Sequence, residues 1–210
     1  MKSLHRSDLF AWSSFDQSRN VDFNGTYWQR KEGGILFDPM PPSEHDIAHI
    51  ESLGGASWIL LTNADHVRAA AELAAHFGAS IAAPAAERDN PAYASLDVKK
   101  WFAADEILGC GIRPLPMAGS KTSGEVAFLL PGGDTLVTGD LIRGQHAGRL
   151  NILPDAKLSD RAAALAAVSS LLDLPHLSSV LVGDGQSIFR DARARLSELA
   201  AELGGTGANP

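Results

Sequence analysis

The sequence predicts a single α/β domain over residues 1–210, and three observations carry that prediction. Apolar runs of strand length alternate with amphipathic helical patterns through most of the chain. No Ser/Gly/Pro-rich linker and no block of charge divides it. Finally, three apolar runs end abruptly in acidic residues where the chain leaves the strand, at Asp65-His66, Asp140 and Asp184, the rim on which α/β proteins place ligands.

The elements follow in order. Leu9 to Phe15 and Gly25 to Arg30 read as strands, then a Lys31 to Gly34 turn leads into a third, Ile35 to Phe37, ending in Asp38-Pro39. Ser43 opens a helix with Glu44 and Asp46 in its first turn, Ile47, Ile50 and Leu53 on one face and Gly54-Gly55 as its stop. Ser57 to Leu61 is a strand. Asp65 to Phe77 is an alanine-rich helix whose buried face is Val67, Ala70, Ala71, Leu73, Ala74 and Phe77, with Asp65 at its start and Gly78 at its end. Ala79 to Ala83 is a short strand, residues 84–97 are irregular or partly helical, and Ile112 to Met117 is another strand. Val126 to Leu130 and Thr135 to Thr138 flank Pro131-Gly132-Gly133-Asp134, a hairpin turn. Ser159 caps a helix running to Leu172, Val180 to Val182 is the last strand, Phe189 to Leu203 the last helix, and Gly204 to Pro210 a frayed tail.

Composition narrows the function classes. Of the residues, 45% are hydrophobic and 20% charged, as in an ordinary globular chain. The longest apolar runs, Trp58 to Leu61 and Val126 to Leu130, fall far below the roughly 18 residues of a membrane span, so no membrane partner is expected. Met1 to Phe10, with Lys2, His5, Arg6 and Asp8, lacks the apolar core of a signal peptide, which predicts a cytoplasmic location. The one cysteine, Cys110, sits among Leu108, Gly109 and Ile112 and reads as a buried, unreactive thiol. A net charge of −7, from 25 acids against 18 bases, argues against nucleic acid and leaves a small-molecule substrate or ligand as the expected partner. The oligomeric state is open at this level.

Taken in order, Ile35-Leu36-Phe37-Asp38-Pro39, Leu61-Thr62-Asn63-Ala64-Asp65-His66, Gly119-Ser120-Lys121-Thr122-Ser123-Gly124-Glu125, Thr138-Gly139-Asp140 and Gly183-Asp184-Gly185 resemble the motif series of the metallo-β-lactamase-fold hydrolases. The resemblance spans roughly residues 9–190 and implies an αββα sandwich of two mixed sheets with outer helices and a metal site on their shared edge. It also exposes departures. The family's His-x-His-x-Asp-His reads here with Leu61 and Asn63 in place of the two leading histidines, Lys121 (or Ser120) stands at the next histidine, and Asp184 replaces the last. Every ligand of a first metal is therefore lost, and the resemblance implies a reduced metal set of Asp65, His66, Asp140 and Asp184. Such an oxygen-rich set suits at most one divalent ion, Mn²⁺, Fe²⁺, Zn²⁺ or Mg²⁺, or none.

Two functions follow from that reduced set. One is hydrolysis of an ester, thioester, amide or phosphoester by water activated at one ion, with Asp65, Lys121 and Asp140 as catalytic residues. The alternative is a metal-free, non-catalytic module that binds a small molecule or a protein. Lys121 fits either reading, as a cation standing where the first metal was or as a counter-charge to the carboxylates. His146, Arg143 and Tyr27 are candidate substrate-binding residues on the rim. Asp38 reads as a turn or supporting residue, Glu125 as a motif residue or a hairpin surface charge. His45, His49 and His76 fall in helical patterns, and Trp12, Trp28, Trp58 and Trp101 read as packing residues.

Overall fold

The structure is a computed structural model that describes residues 1–205; residues 206–210, most of the expected tail, lie outside the described part. The chain forms two compact units, Met1–Ala103 and Ala104–Pro210.

The first unit holds β1 (Lys2–Ser3), β2 (Leu9–Asp16), β3 (Val21–Trp28), β4 (Gly34–Phe37), α1 (Glu44–Ser52), β5 (Ala56–Leu60), α2 (Ala70–Phe77), β6 (Ser80–Pro84) and β7 (Val98–Phe102). Its seven-stranded sheet keeps chain order, β1-β2-β3-β4-β5-β6-β7. Short turns make the pairs up to β4 antiparallel, whereas α1 and α2 are the crossovers that let β4, β5 and β6 run parallel. Leu36, Ile59 and Ile81 meet Ile50 of α1 and Leu73 of α2 in one core. Ser43 caps α1 as expected, in a box where its hydroxyl accepts from Asp46 N and the Asp46 carboxylate reaches back to Ser43 N.

Besides the short β1, which was not expected, three elements of this unit differ from the sequence reading. The second strand begins at Val21, because polar Asp22 and Asn24 sit in a hairpin that carries β2 and β3 beyond β4. The expected helix from Asp65 is split: Ala64–His66 is a separate 3-10 turn, and α2 starts only at Ala70 because Arg68 adopts φ +34°. β7 was not expected, since Lys99-Lys100 interrupts its apolar pattern.

At the other end of the sheet, Arg6 grips the Asp8 carboxylate through Nε (3.0 Å) and Nη2 (2.8 Å), and Trp28 Nε1 donates to it at 2.8 Å. Burial raises the pKa of Asp8, but the Arg6 and Trp28 hydrogen bonds outweigh it and leave the carboxyl below its ordinary value. A group with a lowered folded pKa stabilises above its unfolded value, near 3.9, and loses that contribution as pH falls through the folded one. Wild type is therefore expected to melt above Asp8→Asn at neutral pH, with the gap shrinking below about pH 4. Paired thermal melts across pH check it, and a gap that stays constant into acid contradicts it.

The second unit holds β8 (Arg113–Pro116), β9 (Val126–Leu129), β10 (Thr135–Thr138), β11 (Ile142–Arg143), β12 (Asn151–Ile152), α3 (Arg161–Ser170), β13 (Ser179–Val182) and α4 (Ala192–Gly205). Its main sheet runs β13-β10-β9-β8, with β13 parallel to β10 and the rest antiparallel, and β11 pairs β12 in a ribbon. The β9–β10 hairpin is the one expected around Pro131 to Asp134. Leu136, Ile142, Val168, Val180 and Leu196 form its fully buried core. The cap of α3 is Asp160, whose carboxylate accepts from Ala163 N, rather than Ser159. α4 starts at Ala192, three residues later than expected from Phe189, because Ile188 bridges Val180 in extended form. Among the described residues no helix is long and apolar enough to cross a membrane.

Candidate functional site

In the first unit the chemistry gathers around Asp38, just beyond the end of β4. This carboxylate is buried and accepts three hydrogen bonds, from Thr62 N (2.8 Å), Thr62 Oγ1 (2.6 Å) and His66 Nδ1 (2.7 Å). β4 and β5 run parallel in register Phe37 to Leu60, so the residues after both strands emerge side by side and Asp38 reaches across to Thr62. Asp38 itself has φ +43°, a left-handed backbone that Asp and Asn tolerate better than most residues.

His66 lies between Asp38 and Arg68. Its Nε2 is 3.1 Å from Arg68 Nη2. A guanidinium can only donate, so Nε2 accepts and the ring proton sits on Nδ1, aimed at Asp38. This fixes the neutral Nδ1–H tautomer. Arg68 is held in turn by the Asn24 and Asp38 carbonyls, which its Nη1 reaches at 3.1 and 3.2 Å, and by the face of Phe23, 5.5 Å from its Cζ.

The 3-10 turn carrying His66 is pinned from a second side. The buried Glu87 carboxylate accepts from Ala64 N at 2.5 Å and from Tyr93 Oη at 3.3 Å. Burial first, then the charge of Glu87, pushes the Tyr93 phenol well above its ordinary pKa, which keeps it a donor. Asn63 caps the turn, its side chain accepting from Asp65 N at 2.9 Å, while Leu61 is wholly buried in the core. The two positions where the motif resemblance places histidines thus have structural work here. Asp65 itself is exposed.

In the second unit Asp140 and Asp184 follow β10 and β13. Asp140 is buried in a turn closed by Thr138 Oγ1, which donates to the Ile142 carbonyl at 2.9 Å. The same turn is clamped by Glu125, which accepts from Leu141 N at 2.8 Å and from Ser120 Oγ at 2.5 Å. Glu125 is thus buried and not a hairpin surface charge, because its carboxylate ties the 117–125 loop to this turn. Asp184 is ion-paired with Arg143, and both are at least nine-tenths buried. Their neighbours Gly144 and Gly185 bring them together: Gly144 N donates to the Asp184 carbonyl (2.9 Å) and Gln186 N to the Gly144 carbonyl (2.7 Å), an approach that leaves no room for a Cβ at either glycine.

The predicted set thus divides by unit, Asp65 and His66 in the first, Asp140 and Asp184 in the second. Two rim residues, Tyr27 and Arg143, and the thiol lie elsewhere than expected. Tyr27 is wholly buried in the core and donates to the Gly55 carbonyl at 2.9 Å, so it is no rim residue. Arg143 is an interior counter-ion of Asp184, while His146 is exposed on the turn after β11. Lys121 is exposed as well. Cys110 is half-buried, because it sits in a tight turn closed by Gly111 N on the Leu108 carbonyl. His76, half-exposed, meets Glu51 at 3.1 Å, and His49 packs edge-on to Phe10, as surface and packing residues do. Arg68 and Glu87 were missed. The one signal for Arg68 was its position two residues after His66, inside what reads as continuous helix.

The chain matches the model of the metallo-β-lactamase superfamily over residues 1–203. It is similar in structure to a metallo-β-lactamase from Pontibacter korlensis, with a TM-score of 0.73 at 18% identity over 95% of this chain and 96% of that one. A metallo-β-lactamase family protein of Thermus thermophilus gives 0.70 at 18%, covering 95% and 80%. The FIM-1 enzyme of Pseudomonas aeruginosa, solved in its mono-zinc form, gives 0.70 at 16%, covering 96% and 92%. No curated protein matches the chain. The chain belongs to the metallo-β-lactamase superfamily. It has that fold, with mixed α/β structure and two mixed sheets, and the family is one of hydrolase-like proteins that bind zinc or other divalent metals.

The side chains able to ligate a metal include the buried His66, Asp140 and Asp184. Their surroundings do not fit a resident ion. A histidine ligand needs a lone pair, and the one on His66 Nε2 accepts from Arg68. The charge of Asp184 is already offset by Arg143. The Asp38 contact to Nδ1 braces a metal-binding histidine equally well, but at Nε2 a guanidinium stands where such an ion would sit.

Proposed function

We propose that this protein is a metal-free member of the superfamily that binds a small molecule and does not carry out metal-dependent hydrolysis. The buried Arg143–Asp184 pair carries this reading. A carboxylate whose charge is already met by a buried guanidinium is a poor ligand, because a divalent ion would have to displace that cation and leave it buried without its partner. The loss of ligand chemistry at Leu61, Asn63 and Lys121 supports the same reading. The acidic, single-cysteine composition agrees with a cytoplasmic setting.

The test is elemental analysis of protein purified without chelator or added metal, alongside Asp140→Asn, combined with native mass spectrometry. Well under one equivalent of Mn, Fe or Zn is expected in both, before and after incubation with each ion and dialysis. A small molecule is expected to travel with the folded wild type and to leave on unfolding. Near-stoichiometric metal in the wild type, lost in Asp140→Asn and accompanied by ester or phosphoester turnover, overturns the proposal in favour of a mononuclear hydrolase.

A further inference from the structure

Arg68 takes an unusual conformation. At φ +34° it is a non-glycine residue in left-handed backbone, a state that persists where the surroundings over-determine it. The surroundings here are explicit. The backbone excursion delays the start of α2 to Ala70 and lets the guanidinium reach the Asn24 carbonyl in the β2–β3 hairpin, the Asp38 carbonyl, the Phe23 ring and His66 Nε2.

The receiving groups have the character of a cation site. Two backbone carbonyl oxygens, an imidazole lone pair and an aromatic face all present negative potential, and none of them can donate to the guanidinium. Asp38 supplies a full negative charge at the opposite ring nitrogen, which raises the basicity of Nε2 in the way a carboxylate does behind a metal-bound histidine. A lysine would fill this place poorly, because only a planar fork serves two carbonyls with one nitrogen and an imidazole with another.

We infer that Arg68 is a built-in cation that occupies the metal-facing side of His66 and excludes a divalent ion from it. The inference rests on the metal-free reading of the protein and adds the residue that enforces it. Its consequence is that His66 becomes a metal ligand once the guanidinium is gone.

Arg68→Gly is the decisive variant, because glycine adopts the left-handed backbone at no steric cost and removes only the side chain. Co²⁺ and Zn²⁺ affinities are measured by calorimetry and by the Co²⁺ absorption spectrum for wild type, Arg68→Gly, and Arg68→Gly combined with His66→Ala. Arg68→Gly is expected to bind about tenfold tighter or more than wild type, with the gain lost in the double variant. Equal affinity in wild type and Arg68→Gly overturns the inference, as does a gain that survives the loss of His66. A measurement on wild type alone guards against a variant that fails to fold: ¹⁵N spectra of the imidazole are expected to show the Nδ1–H tautomer, unchanged by Zn²⁺, and a Zn²⁺-dependent shift of Nε2 overturns the inference. The two readings also fail separately. Metal present in wild type and retained in His66→Ala defeats the metal-free function while leaving Arg68 in its role. Metal-free wild type with no gain in Arg68→Gly defeats the role of Arg68 alone.

Discussion

Replacing Gly185 by alanine is expected to cost about 3 kcal/mol or more, a large share of the roughly 5–15 kcal/mol that holds a domain folded. Gly185 has φ +90°, and a Cβ there collides with the Gly144 carbonyl oxygen and falls 2.5 Å from its carbon. Neither is the end of a flexible side chain, so relief requires parting the Gly144–Gly185 bridge that aligns Arg143 with Asp184. Gly54→Ala supplies the comparison. It has a similar φ, +104°, with nothing within 4 Å of its Cβ, so it reports backbone strain alone, about 1 kcal/mol. Urea denaturation of both variants separates the terms, and equal losses would show that the close approach at Gly185 carries no weight.

Asp38→Ala is expected to lose roughly 3–5 kcal/mol, since it strands Thr62 N, Thr62 Oγ1 and His66 Nδ1 in the interior at once. It also puts a residue ill-suited to φ +43° at the end of β4. Asp38→Asn should lose less, because Asn tolerates that backbone and keeps one acceptor oxygen, but its amide opposes donors at one of these contacts. Thermal denaturation of the pair gives the order wild type, Asn, Ala, and a wild-type-like Ala variant would contradict the account of Asp38 as the anchor of the His66 turn.

The legible parts of this protein were those set by short-range pattern. The Gly78 stop, the Ser43 cap, the Pro131 to Asp134 hairpin and the acids after β10 and β13 all follow from a few adjacent residues. The same local reading found Asp65-His66 and Asp184 but not the side chains that hold them, Asp38 and Arg68 at His66 and Arg143 at Asp184. Arg68 looks like one more polar residue on a helix, because the pattern of Val67, Ala70 and Leu73 gives no hint that the backbone turns left-handed between them. Glu87, in an irregular stretch, reaches Ala64 from 23 residues away, and Arg143 meets Asp184 from 41 residues away. Such partners are chosen by strand register and by where glycine lets two backbones touch, and neither is written in a local window. Tyr27 shows the converse: read as a rim residue, it lies inside the core, where one carbonyl, that of Gly55, satisfies its hydroxyl.

The order of strands in the two sheets carries a consequence for how the chain is made. In the first unit each strand lies beside the one synthesised just before it, from β1 to β7, so every new segment finds its neighbour already in place and the loops to be closed are short. That sheet can be laid down strand by strand as the chain leaves the ribosome, before residue 104 exists. The second sheet is different. β10 waits for β13, with the β11–β12 ribbon and α3 in between, and its parallel edge is open until residue 182 has been translated. The slow step of folding is expected to fall on the docking of β13, and the exposed edge of β10 is the place where a chaperone, or another nascent chain, would find purchase.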